Sequence, residues 1–300
     1  MSAVAQVAVV AGARPNFMKV APVLRALEAA GISSLLVHTG QHYDRSMSEV
    51  FFEELGIRAP DTNFAIGSGT QAEQTGRIMV EFDRWLDDHP VDAVLVAGDV
   101  TSTVACTITA AKRLVPVGHI EAGLRSFDRT MPEEINRVVV DALATLLFTP
   151  SPEADAELLA EGAEPGRVHL VGNVMVDTLF ECRDRALARG AAARLGVTGA
   201  YCLATLHRPA LVDDETVLRP VLRALATLAE RLPVIIPVHP RTAARLRTSG
   251  MEGDLAGLTI VEPLGYLDFV SLQAGATLVL TDSGGVQEET TALGVPCLTL

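Results

Sequence analysis

The stretch HIEAGLRSFDRTMPEEINR, residues 119–137, crowds Glu121, Asp128, Glu133 and Glu134 together with Arg125, Arg129 and Arg137. It follows an apolar run, LVPVG at 114–118, that reads as a buried strand. Carboxylates drawn into a cleft shift their proton affinity and become usable acids and bases. Glu121 is the first carboxylate past the strand. Glu133 and Arg137 are four apart and share one helix face. Gly123 and Pro132 bend the segment into an ordered loop. A surface network of ion pairs is the competing reading.

Other strand ends carry polar residues too. AGARPNFMK at 11–19 puts Arg14 and Lys19 near a helix N-terminus, where the dipole and free N–H groups already favour anions. It is not the GxGxxG of a dinucleotide fold, and a solvated pair of charges is the alternative. TGQHYD at 39–44 follows the second predicted strand. GDVTST at 98–103 ends a strand with Asp99, which by itself is no more than a candidate helix cap. ATLHRP at 204–209 leaves His207 and Arg208 at a strand end, and His239 in PVHPR occupies a similar place. LTDSGGVQEETTALG at 280–294 is the most specific. Asp282 or Ser283 can cap the following helix, and Gly284 and Gly285 allow close backbone approach with N–H groups aimed at a phosphate. Glu288 and Glu289 lie one turn further on, where a carboxylate can accept from a ribose diol. An ordinary glycine-containing turn with helix-capping acids is the alternative.

The elements that position these residues alternate. Predicted strands fall at 7–11, 35–39, 93–97, 115–120, 146–149, 168–171, 202–206, 234–238, 259–261, 277–281 and 296–300. Helical patterns lie between them at 19–30, 72–88, 103–113, 136–144 and 216–231. Such alternation predicts an α/β chain with parallel sheets covered by helices on both faces. Ligands bind outside the carboxyl ends of such strands, where the polar motifs collect. A boundary near Gly172 divides the chain into 1–171 and 172–300. If the two sheets face each other, the crevice lies between the domains.

Composition narrows the function. The 300 residues are 49% hydrophobic and only 4% aromatic, which favours helices on parallel strands over a β-sandwich. A formal net charge of −13 argues against a nucleic-acid binder. Cys106, Cys182, Cys202 and Cys297 form no CxxC pair, so free thiols in a reducing compartment are expected. No apolar run reaches the ~18 residues of a membrane span, and the first apolar run lacks a basic leader, so a cytoplasmic protein is expected.

In order along the chain, GARPNFMKVAP, TGQHYD, GDVTST, HIEAGLRSFDRTMPEEINR, LFTPS, VGNVMVDTL, TLHRP and LTDSGGVQEE closely resemble the non-hydrolysing UDP-N-acetylglucosamine 2-epimerases. The resemblance implies two Rossmann-like domains facing each other across a cleft, as in glycosyltransferases of the GT-B type. It implies interconversion of UDP-N-acetylglucosamine and UDP-N-acetylmannosamine: loss of the C2 proton, departure of UDP from C1, a 2-acetamidoglucal intermediate, and re-addition. Neither nicotinamide nor metal is implied, so no cofactor is expected. Asp99, Glu121 and Glu133 match the catalytic carboxylates. Arg14, Lys19, Arg137 and His207 fit stabilisation of departing UDP, and His207 is also a candidate acid; Arg208 and His239 join the substrate-binding set. Ser283, Gly284 and Gly285 are implied at the phosphates, Glu289 at the ribose and Phe269 near uracil. Gln41 and His42 match the segment through which the UDP-sugar acts as an allosteric activator. A homodimer and a role in polysaccharide biosynthesis are family expectations.

GDVTST and LHRPALVDD depart from the commonest family forms. The sequence also stops at Leu300, after a predicted strand, whereas the family continues into an arginine-containing UDP-binding loop and a last helix. Three readings compete: a hydrolysing relative that releases N-acetylmannosamine and UDP, a GT-B glycosyltransferase, and a non-catalytic UDP-sugar sensor.

Overall fold

The computed structural model describes residues 5–40, 51–238 and 251–300, apart from the side chains of residues 14, 15, 209, 210 and 252. It divides into two compact units, 1–178 and 179–300, which meet inside the helix Val174–Leu187.

Seven parallel strands form the sheet of the first unit: β1 (Gln6–Ala11), β2 (Ser33–His38), β3 (Thr62–Asn63), β4 (Ala93–Ala97), β5 (Val117–Ile120), β6 (Leu146–Thr149) and β7 (Val168–Leu170). Their order is β3-β2-β1-β4-β5-β6-β7. Strands such as β1, QVAVVA, are apolar on both faces because helices cover both, so they read as continuous runs rather than alternating ones. One face packs Ala8, Val10 and Val94 against Ile78, Phe82 and Ala105 of the helices Gln71–Asp88 and Thr101–Lys112.

Five parallel strands form the sheet of the second unit: β8 (Cys202–Thr205), β9 (Val234–Pro237), β10 (Leu258–Val261), β11 (Leu278–Thr281) and β12 (Cys297–Thr299). The order is β10-β9-β8-β11-β12. The two-residue period of a strand sorts its side chains onto two cores. Cys202, Ala204 and Ile236 meet Leu218, Leu222 and Leu225 of the helix Glu215–Ala229. Leu203, Ile235 and Val279 meet Leu272 of the helix Tyr266–Gly275.

The expectation of two doubly wound α/β units is met. In each, the strand order reverses at one place: between β1 and β4 in the first, between β8 and β11 in the second. Ligands of open parallel sheets bind at such reversals. All four cysteines are free thiols. No described helix is long and apolar enough to cross a membrane.

Candidate active site

At the reversal in the first unit, Asn16 joins the two strand ends. Its Oδ1 accepts from the backbone N–H of Gly12 and Ala13 at 3.0 and 3.1 Å, and its Nδ2 donates to Ala97 O at 2.8 Å. Glycine is required at 12 because a Cβ there would fall 2.1 Å from Ser102 Oγ. Arg14 opens the helix Arg14–Ala29, and Lys19 lies just over one turn further along it. Lys19 is buried, with Nζ 2.6 Å from Glu121 Oε2. The pair is ionic rather than aligned as a hydrogen bond. Beneath the ammonium lies Gly98, at φ +65°, where a Cβ would come within 2.8 Å of Nζ. Glu121 itself has φ +69°, a left-handed conformation that costs a non-glycine residue about 1–3 kcal/mol and that clusters at functional sites.

Next to this pair, Asp99 is held by the helix Pro132–Leu143. Arg137 donates from Nη2 to Asp99 Oδ2, and Asn136 Nδ2 donates to Asp99 O at 2.8 Å. Arg137 also lies 3.7 Å from Glu134, whereas no ion pair joins it to Glu133 among the described residues. Glu133 is exposed in the first turn of that helix. Glu134 is structural: buried, it accepts from Ser126 N, Ser126 Oγ and Phe127 N at 2.8, 3.1 and 3.2 Å. Burial works against its charge, but these bonds and the Arg137 guanidinium hold its carboxyl below the usual range. Asp99 and Glu121 thus each carry a fixed cation at neighbouring strand ends.

In the second unit, Asp282 does something other than the helix-capping role open to it from sequence. Its buried carboxylate turns toward the end of β8, accepting from His207 N at 2.8 Å, Arg208 N at 2.7 Å and His207 Nδ1. Burial opposes its ionisation, yet His207 and the two N–H groups hold it below the usual carboxylate range. Ser283 takes the N-cap position without a side-chain cap bond, and its N–H donates to Thr281 Oγ1 at 3.0 Å. The helix Gly284–Leu293 therefore begins with the N–H groups of Gly284, Gly285 and Val286, which have no acceptor within the helix. Open space adjoins Gly284, where a Cβ would meet nothing within 4 Å. That is an anion site in shape and polarity. His207 and Arg208 are exposed beside it.

Glu289 sits deeper. It is buried, accepts from Tyr266 Oη at 3.1 Å, and has its carboxyl pushed up to about 7, chiefly by burial. Half-exposed Glu288 precedes it. Phe269 packs at the edge of the core that holds Leu203 and Leu272. Gln41, His42 and His239 lie outside the described residues, as does the side chain of Arg14. Among the described residues, no cluster of His, Cys, Asp and Glu is placed to hold a metal ion.

Residues 25–300 match the family described as UDP-N-acetylglucosamine 2-epimerase. The UDP-N-acetylglucosamine 2-epimerase of Methanocaldococcus jannaschii is 40% identical over 98% of this chain and 83% of its own length. The chain belongs to the UDP-N-acetylglucosamine 2-epimerase family. Its similarity extends to a relative named for a different sugar: the UDP-2,3-diacetamido-2,3-dideoxy-D-glucuronate 2-epimerase of Pseudomonas aeruginosa is 41% identical over 96% of this chain and 81% of that protein. The crystal structure of the M. jannaschii enzyme in complex with UDP-GlcNAc and UDP superposes with a TM-score of 0.88, covering 98% of this chain and 83% of that one.

For this 2-epimerase family member, the sequence did not reveal three supports of the site: Asn16, Asp282 in its observed role, and Asp141, whose buried carboxylate meets His119 Nδ1 and accepts from Gly123 N just past Glu121. A lone acid inside VVVDAL was a usable signal, because carboxylates are seldom fully buried without partners.

Proposed function

We propose that this chain interconverts UDP-N-acetylglucosamine and UDP-N-acetylmannosamine. The first domain, 1–171, supplies acid–base groups, and the second, 172–300, holds the nucleotide. Asp99, Glu121 and Glu133 form the acid–base set. One carboxylate takes the C2 proton as the C1–O bond breaks, and UDP leaves with the bonding electron pair. A proton is then delivered to the opposite face of C2 in the glucal as UDP re-adds at C1, so no net oxidation occurs. Lys19 and Arg137 balance the carboxylate charge. Ser283, Gly284 and Gly285 at the helix start, with His207, Arg208, His239 and Arg14, bind the diphosphate and stabilise it as charge develops on departure. Glu289 serves the ribose and Phe269 the uracil region.

The observation that carries this reading is the placement of Asp99 and Glu121, each against a fixed cation, at adjacent strand ends in a chain of this family. The finer reading is a cytoplasmic homodimer that makes a polysaccharide precursor, with the UDP-sugar also activating through Gln41 and His42. The identity to the P. aeruginosa enzyme supports a second reading, in which the sugar is a diacetamido uronate.

Proton NMR of the chain with UDP-N-acetylglucosamine in D2O tests the proposal. The expected product is UDP-N-acetylmannosamine carrying deuterium at C2. Free sugar plus UDP overturns it in favour of a hydrolysing enzyme. Turnover of only the diacetamido uronate nucleotide moves the substrate to the second reading.

A further inference from the structure

His119 is completely buried, and both ring nitrogens face oxygen atoms. Nε2 lies 2.8 Å from Gly98 O, and Nδ1 lies 2.6 Å from Asp141 Oδ1. A peptide carbonyl only accepts, so Nε2 donates to it; an ionised Asp141 likewise takes its bond from Nδ1–H. Asp141 Oδ2 in turn accepts from Gly123 N at 3.1 Å and Arg125 Nη1 at 2.7 Å. Arg125 closes the cluster on Glu161, with bonds of 2.8 and 2.6 Å.

The positions of these groups in the chain give the arrangement its meaning. Gly98 directly precedes Asp99. His119 is two residues before Glu121, and Gly123 is two residues after it. Asp141 sits on the same helix that grips Asp99 through Asn136 and Arg137. One imidazole therefore ties the turn after β4 to strand β5 and, through Asp141, to the far side of the turn after β5. The second turn needs restraint, because Glu121, a non-glycine residue, holds a left-handed backbone conformation.

We propose that His119 is a positioning residue: through Gly98 on one side and Asp141 on the other, it sets the separation of Asp99 and Glu121. The inference rests on the proposed roles of those two carboxylates. Small displacements of reacting groups can cost on the order of 100-fold in rate, so losing the Gly98 bond should lower kcat and leave UDP binding in the second unit unchanged.

Two substitutions separate the halves of the bridge. In His119→Asn the amide nitrogen can occupy the Nδ1 position, keeping Asp141 and losing Gly98. In His119→Gln it can occupy the Nε2 position, keeping Gly98 and losing Asp141. We expect His119→Asn to lower kcat on the order of 100-fold, with KM for the UDP-sugar and affinity for UDP near wild type. His119→Gln should recover most of the turnover. Equal loss in both variants, tracking their thermal stability, overturns the proposal in favour of mere packing; full activity in both also overturns it. Nitrogen-15 NMR of histidine-labelled wild-type protein supplies a reading independent of how the variants fold. A protonated, exchange-protected Nε2 on His119 supports the bridge, and an unprotonated Nε2 overturns it. If the wild type leaves C2 undeuterated, the proposed activity fails, and the ring-nitrogen spectrum alone decides whether the bridge exists.

Discussion

Lys19 Nζ lies 2.6 Å from Glu121 Oε2, and both side chains are largely withdrawn from solvent. An anion-binding lysine and an acid–base carboxylate, read separately in sequence, form a single unit in the structure. A buried pair of this kind loses more when one partner is removed than when both are. Lys19→Met should therefore destabilise the chain by about 3–5 kcal/mol, because it leaves a buried carboxylate without its cation. Adding Glu121→Gln to Lys19→Met should recover much of that stability. It should not recover turnover, which Glu121→Gln alone lowers by about 100- to 10,000-fold as expected for loss of an acid–base group. Urea unfolding and C2 deuterium incorporation on the four members of the cycle check this. A double variant no more stable than Lys19→Met would remove the case for coupling.

Asp282 governs both the backbone and the side chain of His207. Asp282→Asn can keep the two backbone bonds through its amide oxygen, but it presents N–H where the ring Nδ1 now donates. The ring must then take the other tautomer. We expect Asp282→Asn to fold normally and to lose turnover on the order of 100-fold, the scale of a misplaced proton donor. Asp282→Ala leaves the N–H groups of His207 and Arg208 without their acceptor, which costs about 0.5–1.5 kcal/mol for each part-buried bond lost. Circular dichroism melting together with steady-state kinetics separates the two effects. Wild-type turnover in Asp282→Asn would rule out control of the His207 tautomer.

Glu289 makes stability depend on pH with a definite sign. Its carboxyl sits at about 7 in the folded chain, against 4.5 ordinarily, because burial outweighs the opposing hydrogen bond from Tyr266. A raised folded value means the native state holds the proton more tightly. Its stabilising contribution is complete below pH 4.5 and is lost as pH rises through 7, a change of about 3 kcal/mol. Asp141 and Asp282 run the other way: both are held below 3.8, so their contribution is lost only in stronger acid. Between pH 5 and pH 8 the Glu289 effect therefore stands apart from these two. Urea unfolding should show stability falling over that interval in the wild type and less steeply in Glu289→Gln. Equal slopes would contradict the assignment.

Much of the architecture was legible because buried parallel strands are short apolar runs between turn residues. Strands β4 and β6 were predicted to the residue at 93–97 and 146–149. β3 was not, since Thr62 and Asn63 are polar and show no periodicity; they form a strand only by lying beside Val37 and His38. Helix starts were read late at 19 and 136, because Pro15 and Pro132 were not credited as first-turn residues, where a missing N–H costs nothing.

The sequence by itself determined the class of fold, the strand ends at which polar chemistry collects, and the family. These follow from local patterns: apolar periodicity, turn residues and ordered motifs. Only the tertiary structure decided which charge meets which. Helical spacing put Arg137 on a face with Glu133, yet its guanidinium reaches Asp99 across 38 positions of chain. Asp282 caps no helix and instead holds His207, 75 positions away. Such partners are chosen by strand order and register, which bring distant turns to one end of a sheet, and no local pattern encodes that distance.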